Sequence, residues 1–271
     1  MALATALVAV ALAAGTGAAA PTPALAASAF PTATDTSATT TVESSILSWI
    51  NRDRAARSLR PLRLDGAVRT LARERASNLA AAATFSHDAA GGPLGSALAA
   101  DSIQFWSAGE AIAWTIAPPG SIAASSMYSG LKKSAAHWAL LMSRTYNYVG
   151  IGVAERTSDH RTFLAIVLTE SRDHTPPYSK VTSATRSGTT VTFHWYGKDR
   201  PLQTHTAGFR DFDVEYRVDD GAWRLVRDNT TSTGTSWTNR VRGHTYWVRV
   251  RGRDRAGNCS PWSAPMGVRV P

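Results

Sequence analysis

Between residues 43 and 83 the apolar positions recur every three or four residues, the spacing of a helix with one buried face. In ESSILSWINRDRAARSL, Ile46, Leu47 and Ile50 form that face, with the arginines largely off it. Pro61 interrupts the pattern. Asp65 stands where an N-cap is needed for a second helix, GAVRTLARERASNLAAAA, whose stripe is Val68, Leu71, Ala72 and Leu79. This helix leads to Phe85 and His87 just past its C-terminal end. FWSAGEAIAWTI (105–116) alternates through Ile112, Trp114 and Ile116 and predicts a strand. SIAASSMYSGLKKSAAHWALLMS predicts a single helix. YNYVGIGVAER and TFLAIVLTE, joined by the turn TSDH, predict a β-hairpin. Helix, helix, strand, helix and hairpin make an α+β layout.

From Lys180 the period changes to two. TTVTFHWYG, FDVEYRVD, GAWRLVR, HTYWVRVRGRD and MGVRV are short alternating runs separated by turns, the pattern of an antiparallel sandwich of about seven strands. Alternation assigns the faces: Phe212, Val214, Tyr216 and Val218 point one way, and Asp213, Glu215 and Arg217 the other. Tyr246, Val248 and Val250 point inward; Trp247, Arg249 and Arg251 point outward. If these two strands are neighbours, Arg249 and Arg251 pair with Glu215 and Asp213 across the sheet. The domains expected are therefore residues 43–172 and 180–271, with 173–179 as a spacer stiffened by Pro176 and Pro177.

The N-terminus adds a cellular context. ALATALVAVALAA is an apolar run too short and too alanine-rich for a membrane span, and ALA at 24–26 is a signal-peptidase site. Residues 1–26 are expected to be a signal peptide and 27–42, rich in Ser, Thr, Ala and Pro, an unstructured lead. The mature protein is then secreted and extracellular, with no later segment fit to cross a membrane. A single cysteine, Cys259, excludes an intramolecular disulfide and any cysteine-based zinc site. The net charge is +9, carried almost wholly by arginine, the only lysines being Lys132, Lys133, Lys180 and Lys198. Together with the alanine content, that bias is the composition of a GC-rich bacterial genome. Most of the excess falls after residue 175. Such a surface serves solubility or, as the lesser alternative, attracts anionic polymers such as wall polymers or acidic glycans; no RNA-recognition or helix-turn-helix pattern argues for nucleic acid. A monomer is expected.

Residues 46–170 resemble the CAP superfamily (the SCP/PR-1-like domain) in its bacterial secreted form. The resemblance rests on LSWINRDRAARSLRPLRLDGAVRTLARERASNLA, FSH (85–87), GEAIAW (109–114), SAAH (134–137) and YVGIGVA (148–154), in that order and spacing. It implies an α-β-α sandwich. Residues 176–271 resemble a fibronectin type III domain, an immunoglobulin-like sandwich. There Trp195 in VTFHW would be the core tryptophan, and Tyr246 in TYWVRVRGRD the corner tyrosine; the closing DRAGNCSPWS is similar too.

The CAP resemblance implies a central cleft carrying His87, Glu110 and His137. Two imidazoles and a carboxylate suit zinc or another divalent metal with an open position, or acid–base chemistry without metal. Members with a full tetrad have a second glutamate where this chain has Ser134, and serine ligates metal poorly. GEA also replaces GEN, and HWALL replaces HRANI. A nucleophilic Ser134 lacks the strained strand-to-helix turn that exposes such a hydroxyl. Each residue also has a structural reading: His87 as a turn residue after a helix, Glu110 as a buried carboxylate in need of a partner, His137 as a helix-end histidine. His160, His174, His194, His205 and His244 are scattered and are assigned no site. Trp106, Trp114 and Trp138 fall near the cleft residues in sequence, either as core aromatics or as the lining of a groove for lipid or glycan. The expected function is a secreted protein whose cleft binds a lipid, glycan or wall-polymer ligand or a divalent metal, its second domain a spacer or adhesion module. The alternative is a metal-dependent extracellular hydrolase using His87, Glu110 and His137.

Overall fold

The computed structural model of the protein describes residues 8–14 and 36–271. The signal-peptidase site at 24–26 and residues 27–35 of the lead lie outside them. The described residues form two compact units: one runs through Arg172 and includes Leu202–His205, and the other comprises Asp173–Pro201 and Thr206–Pro271.

The elements of the first unit are β1 (Val8–Ala14), α1 (Ser37–Ala55), β2 (Arg63–Leu64), α2 (Gly66–Ala81), α3 (Leu94–Ala100), β3 (Ser107–Ile116), α4 (Ser121–Lys133), α5 (Ala135–Leu141), β4 (Tyr148–Arg156) and β5 (Arg161–Glu170). The helix α1 begins inside the stretch expected to be unstructured. Thr36 caps it, its Oγ1 accepting from the Thr39 amide at 3.2 Å. Arg54 also departs from expectation. It continues the stripe of Ile46 and Ile50 and is fully buried. Its Nε donates to the Arg60 carbonyl (2.9 Å) and its Nη1 to those of Leu141 (2.8 Å) and Ser143 (2.9 Å). Burial lowers its pKa to about 10. The single helix expected over 121–143 is broken at Ser134, whose extended backbone (ψ 112°) ends α4 and starts α5.

The five strands run in the order β1-β3-β5-β4-β2. Val8–Ala14, inside the expected signal segment, pairs antiparallel along Ser107–Ala113 at the outer edge of β3. The hairpin of β4 and β5 is as the alternation predicts. On one face Val149, Ile151, Val153, Leu164, Ile166 and Leu168 pack with α1, α4 and α5. On the other, Val167, Phe163, Ala165 and Ile112 pack with α2 and α3. The unit is thus an α-β-α sandwich. Glycine sets the thickness of its second layer. Gly150 and Gly152 point at α2, and a Cβ on them would lie 2.1 Å from the Val68 carbonyl oxygen and 2.2 Å from the Ala72 carbonyl.

The second unit holds β6 (Tyr178–Ser187), β7 (Thr190–Lys198), β8 (Phe209–Val218), β9 (Arg224–Thr230), β10 (Gly234–Trp237), β11 (Thr245–Asp254) and β12 (Met266–Arg269). They form two antiparallel sheets, β10-β7-β6 and β12-β11-β8-β9, closed over one core of Val181, Val191, Phe193, Trp195, Phe212, Val214, Tyr246, Val248 and Val250. Trp195 Nε1 donates to the Ser232 carbonyl at 2.7 Å, and Tyr246 Oη accepts from the Val241 amide at 2.9 Å. On the outer face Arg249 opposes Glu215 and Arg251 opposes Asp213 in register, with ion pairs of 2.6 and 2.8 Å. The segment expected to be a free spacer is packed at its start: Asp173 is 2% exposed, and its carboxylate accepts from the Thr175 and Ala207 amides.

Replacing Gly152 by valine would drive a side chain into the α2 backbone, which has no flexible end to move aside. Thermal and urea unfolding should show a loss of at least about 2 kcal/mol, the scale of core overpacking. A neutral effect would show that α2 is free to lift from the sheet.

Candidate functional site

The helix α2 opens as the sequence predicts, with Asp65 Oδ1 accepting from the Val68 amide at 2.9 Å. Its buried face comprises Val68, Leu71, Ala72, Arg75, Ala76 and Leu79. Arg75 therefore occupies a core position on an otherwise apolar stripe and is 1% exposed. Opposite it, on β3, Glu110 is fully buried. Arg75 Nε donates to Glu110 Oε1, and Arg75 Nη2 donates to Oε2 at 3.0 Å. The same Nη2 reaches the carbonyls of His87 (3.2 Å) and Gly92 (3.1 Å), fastening the loop that follows α2. His87, carried by that loop, places its Nδ1 2.5 Å from Glu110 Oε2.

This arrangement sets the protonation pattern. Burial raises the Glu110 pKa, but the hydrogen bonds from His87 and Arg75 and the Arg75 charge outweigh it and hold the carboxyl below its ordinary range. As a carboxylate Glu110 can only accept, so Nδ1 of His87 donates. The other ring nitrogen, Nε2, is buried and has no hydrogen-bond partner, and the same holds for Arg75 Nη1. A carboxylate on Nδ1 that leaves Nε2 to receive a proton is the orienting arrangement of a general base.

The other two expected site residues form a separate pair. His137, on α5 and 1% exposed, has its Nδ1 2.6 Å from Ser134 Oγ. The next turn of α5 lies on the opposite face of the sheet from Glu110: a Cβ on Gly109 would meet Leu140 Cδ1 at 2.6 Å. Neighbouring positions of a strand point to opposite faces, so the sheet itself separates Glu110 from the layer of α5. Among the described residues, the one set of three His, Cys, Asp or Glu groups with donor atoms all within 4.8 Å is Asp173, Asp199 and Asp254, in the second unit. His87, Glu110 and His137 do not meet that spacing. Glu110 spends both oxygens on Arg75 and His87, and the guanidinium repels a cation. As placed, His87, Glu110 and His137 do not offer zinc or another divalent metal the set of ligands that the resemblance implies.

The aspartate trio serves its own loops. Asp199 accepts from the Arg200 and Gly208 amides, and Asp254 from the amide and side chain of Asn258. Burial, together with the charges of Asp173 and Asp254, raises the Asp199 pKa against its two amide hydrogen bonds.

Of the two readings of the tryptophans, Trp114 and Trp138 follow the core one, packed on different clusters. Trp114 carries Arg161 over its ring at 4.6 Å, while Trp138 packs with the α1/α4 layer beneath Arg57 and Lys132. Arg75 is the member of this assembly that the sequence reading missed, although its place between Ala72 and Leu79 on the buried stripe was a visible signal.

Among solved structures, an extracellular protein containing a SCP domain from Bacillus anthracis is 24% identical, with a TM-score of 0.42 over 49% of this chain and 41% of that one. A cysteine-rich secretory protein from Staphylococcus aureus is 16% identical, with a TM-score of 0.39 over 49% and 39%. This chain thus spans about two fifths of the length of both. An Fn3-like protein from Clostridium thermocellum is 20% identical, with a TM-score of 0.26 over 36% of this chain and 96% of that one. No curated protein sequence matches the chain. The family model CAP, the cysteine-rich secretory protein family, matches residues 47–169, the span that holds α2, β3, the β4–β5 hairpin and the Arg75–Glu110–His87 assembly. Residues 47–169 belong to the CAP family.

Proposed function

We propose that this is an exported protein whose CAP unit binds a ligand at the cell envelope or outside it through His87, with the β-sandwich as a spacer or adhesion module. The observation that carries the reading is the pair of states on one imidazole: Nδ1 held by Glu110, Nε2 buried and unpaired. A buried polar atom without a partner is costly, and a ligand hydroxyl, amide or carboxyl would relieve it. The apolar run and ALA site at the N-terminus support export. Among the described residues no helix is long and apolar enough to cross a membrane.

The His87–Glu110 geometry also favours a second reading: hydrolysis without metal, His87 acting as general base towards a water held at Nε2. Glu110 would fix the tautomer, and Arg75 would keep Glu110 charged.

Native mass spectrometry of the protein recovered from culture medium tests the first reading. A polypeptide beginning at Ala27 or Ser28 is expected, carrying a noncovalent ligand that His87→Ala fails to retain. Recovery of the full 271-residue chain, or equal retention by both proteins, would rule it out.

The electrostatic core of the site gives a second prediction. Glu110→Gln leaves the Arg75 charge buried without its counterion, which should cost about 3–5 kcal/mol in urea unfolding at neutral pH. The native Glu110 carboxyl lies below its ordinary range, so its contribution is complete above the unfolded value of about 4.3 and is lost as pH falls through the folded one. Wild type and variant should therefore converge in stability under acid. Curves that stay parallel down to strongly acid pH would show that ionisation of Glu110 contributes nothing to folding.

A further inference from the structure

Trp106 is the one exposed residue among the nine tryptophans of the chain, at 53%. It is not loose. Its amide donates to the Glu170 carbonyl at 2.8 Å, extending the pairing of β3 with β5. Its ring packs on the His205 imidazole with centroids 4.3 Å apart. His205 is itself anchored, with Nε2 2.8 Å from Glu170 Oε1, and it holds a left-handed backbone (φ 58°) that non-glycine residues seldom adopt. An indole kept in water by a fixed neighbour is a platform, since a tryptophan free to turn would bury its ring.

Beside that platform lies a cavity of about 330 Å³ lined by Gln104, Phe105, Trp106, Ser171 and Arg172. Ser171 is 4% exposed, and its Oγ has no hydrogen-bond partner. Its backbone is locked on both sides by Asn147, whose Nδ2 donates to the Ser171 carbonyl at 2.7 Å and whose Oδ1 accepts from the Ser171 amide at 3.1 Å. Ser171 thus lines the cavity with its backbone held on both sides and its buried hydroxyl unpaired, which is unusual for a buried polar group.

We propose that Trp106, Ser171, Gln104 and Arg172 form a saccharide site that takes one pyranose unit of a neutral β-linked glycan. The flat C–H face of such a ring covers an indole, and its equatorial hydroxyls both donate and accept. Ser171, Gln104 and Arg172 line the same cavity as the indole and bring a hydroxyl, an amide and a guanidinium to it. The volume is in the lower range of small-molecule sites. An aliphatic chain would cover Trp106 but leave the Ser171 hydroxyl unpaired. A planar aromatic ring would stack on the indole without engaging the polar groups at its rim. None of the residues of the His87 assembly takes part, so this site stands or falls apart from that one.

Calorimetric titration of the full chain with chitohexaose, cellohexaose and adenosine monophosphate tests the proposal. Saturable binding of at least one hexasaccharide is expected. Trp106→Ala should weaken it by about tenfold or more, as for loss of an aromatic stacking partner, with an unchanged melting temperature because the ring is exposed. Ser171→Ala should weaken it by about threefold or more, the loss of one hydrogen bond. Absence of hexasaccharide binding at millimolar concentration, binding that survives Trp106→Ala, or binding of the nucleotide alone would each overturn it.

Discussion

The close seating of α2 on the central sheet is the constraint on which the first unit depends. The α2 backbone rests directly on Gly150 and Gly152, where even a methyl group would collide with it. Only at that short separation does Arg75, three residues beyond Ala72, meet the Glu110 carboxylate on β3. A buried ion pair recovers its desolvation cost only with good geometry and further hydrogen bonds. Here two N–H donors reach the carboxylate, the loop carbonyls of His87 and Gly92 take up the guanidinium, and His87 completes the carboxylate. The glycines of β4, the arginine of α2 and the histidine of the loop are thus one device: packing places the charge, and the charge places the imidazole.

Much of this was legible in the sequence because it depends on local periodicity. The stripe Val68, Leu71, Ala72, Leu79, the Asp65 cap and the β4–β5 hairpin follow from spacing, and the pairing of Arg249 with Glu215 and of Arg251 with Asp213 from alternation once β8 and β11 are neighbours. What was not legible concerns polar groups in apolar positions. Arg54 and Arg75 sit on buried stripes, and most of the hydrogen bonds that hold their side chains come from carbonyls and a carboxylate distant in sequence. Composition reads such residues as surface because burying them normally costs too much. The expected meeting of His87, Glu110 and His137 failed for a related reason. A motif list carries order and spacing but not which face of a strand each residue occupies, and Gly109 and Glu110 face opposite layers. The break at Ser134 was hidden because its neighbours are good helix formers, so the pattern runs through it.

The sandwich shows where the arginine excess goes. On the outer face of β8 and β11, Arg217 lies over Trp223 and Trp247, Arg249 over Trp223 and Trp262, and Arg251 over Trp262, at 4.4–5.6 Å. Cations and indoles alternate across the sheet, while Glu215 and Asp213 neutralise the guanidiniums beside them. Lysine would supply charge but not the flat surface that stacks between two rings. Arg217, Arg249, Arg251 and Arg253 are thereby each held by an aromatic face or a carboxylate.

Arg54 has a consequence of a different kind. In one side chain it gathers the carbonyls of Arg60, Leu141 and Ser143, tying the end of α1 to the end of α5 across most of the CAP unit. The family to which this unit belongs is named for its cysteines, yet this chain has one, too far along to serve that unit. A guanidinium clamp forms as the chain folds, without oxidant, isomerase or waiting time, and no thiol can exchange it. The CAP unit consequently holds its ends together with no bond that a reductant could break.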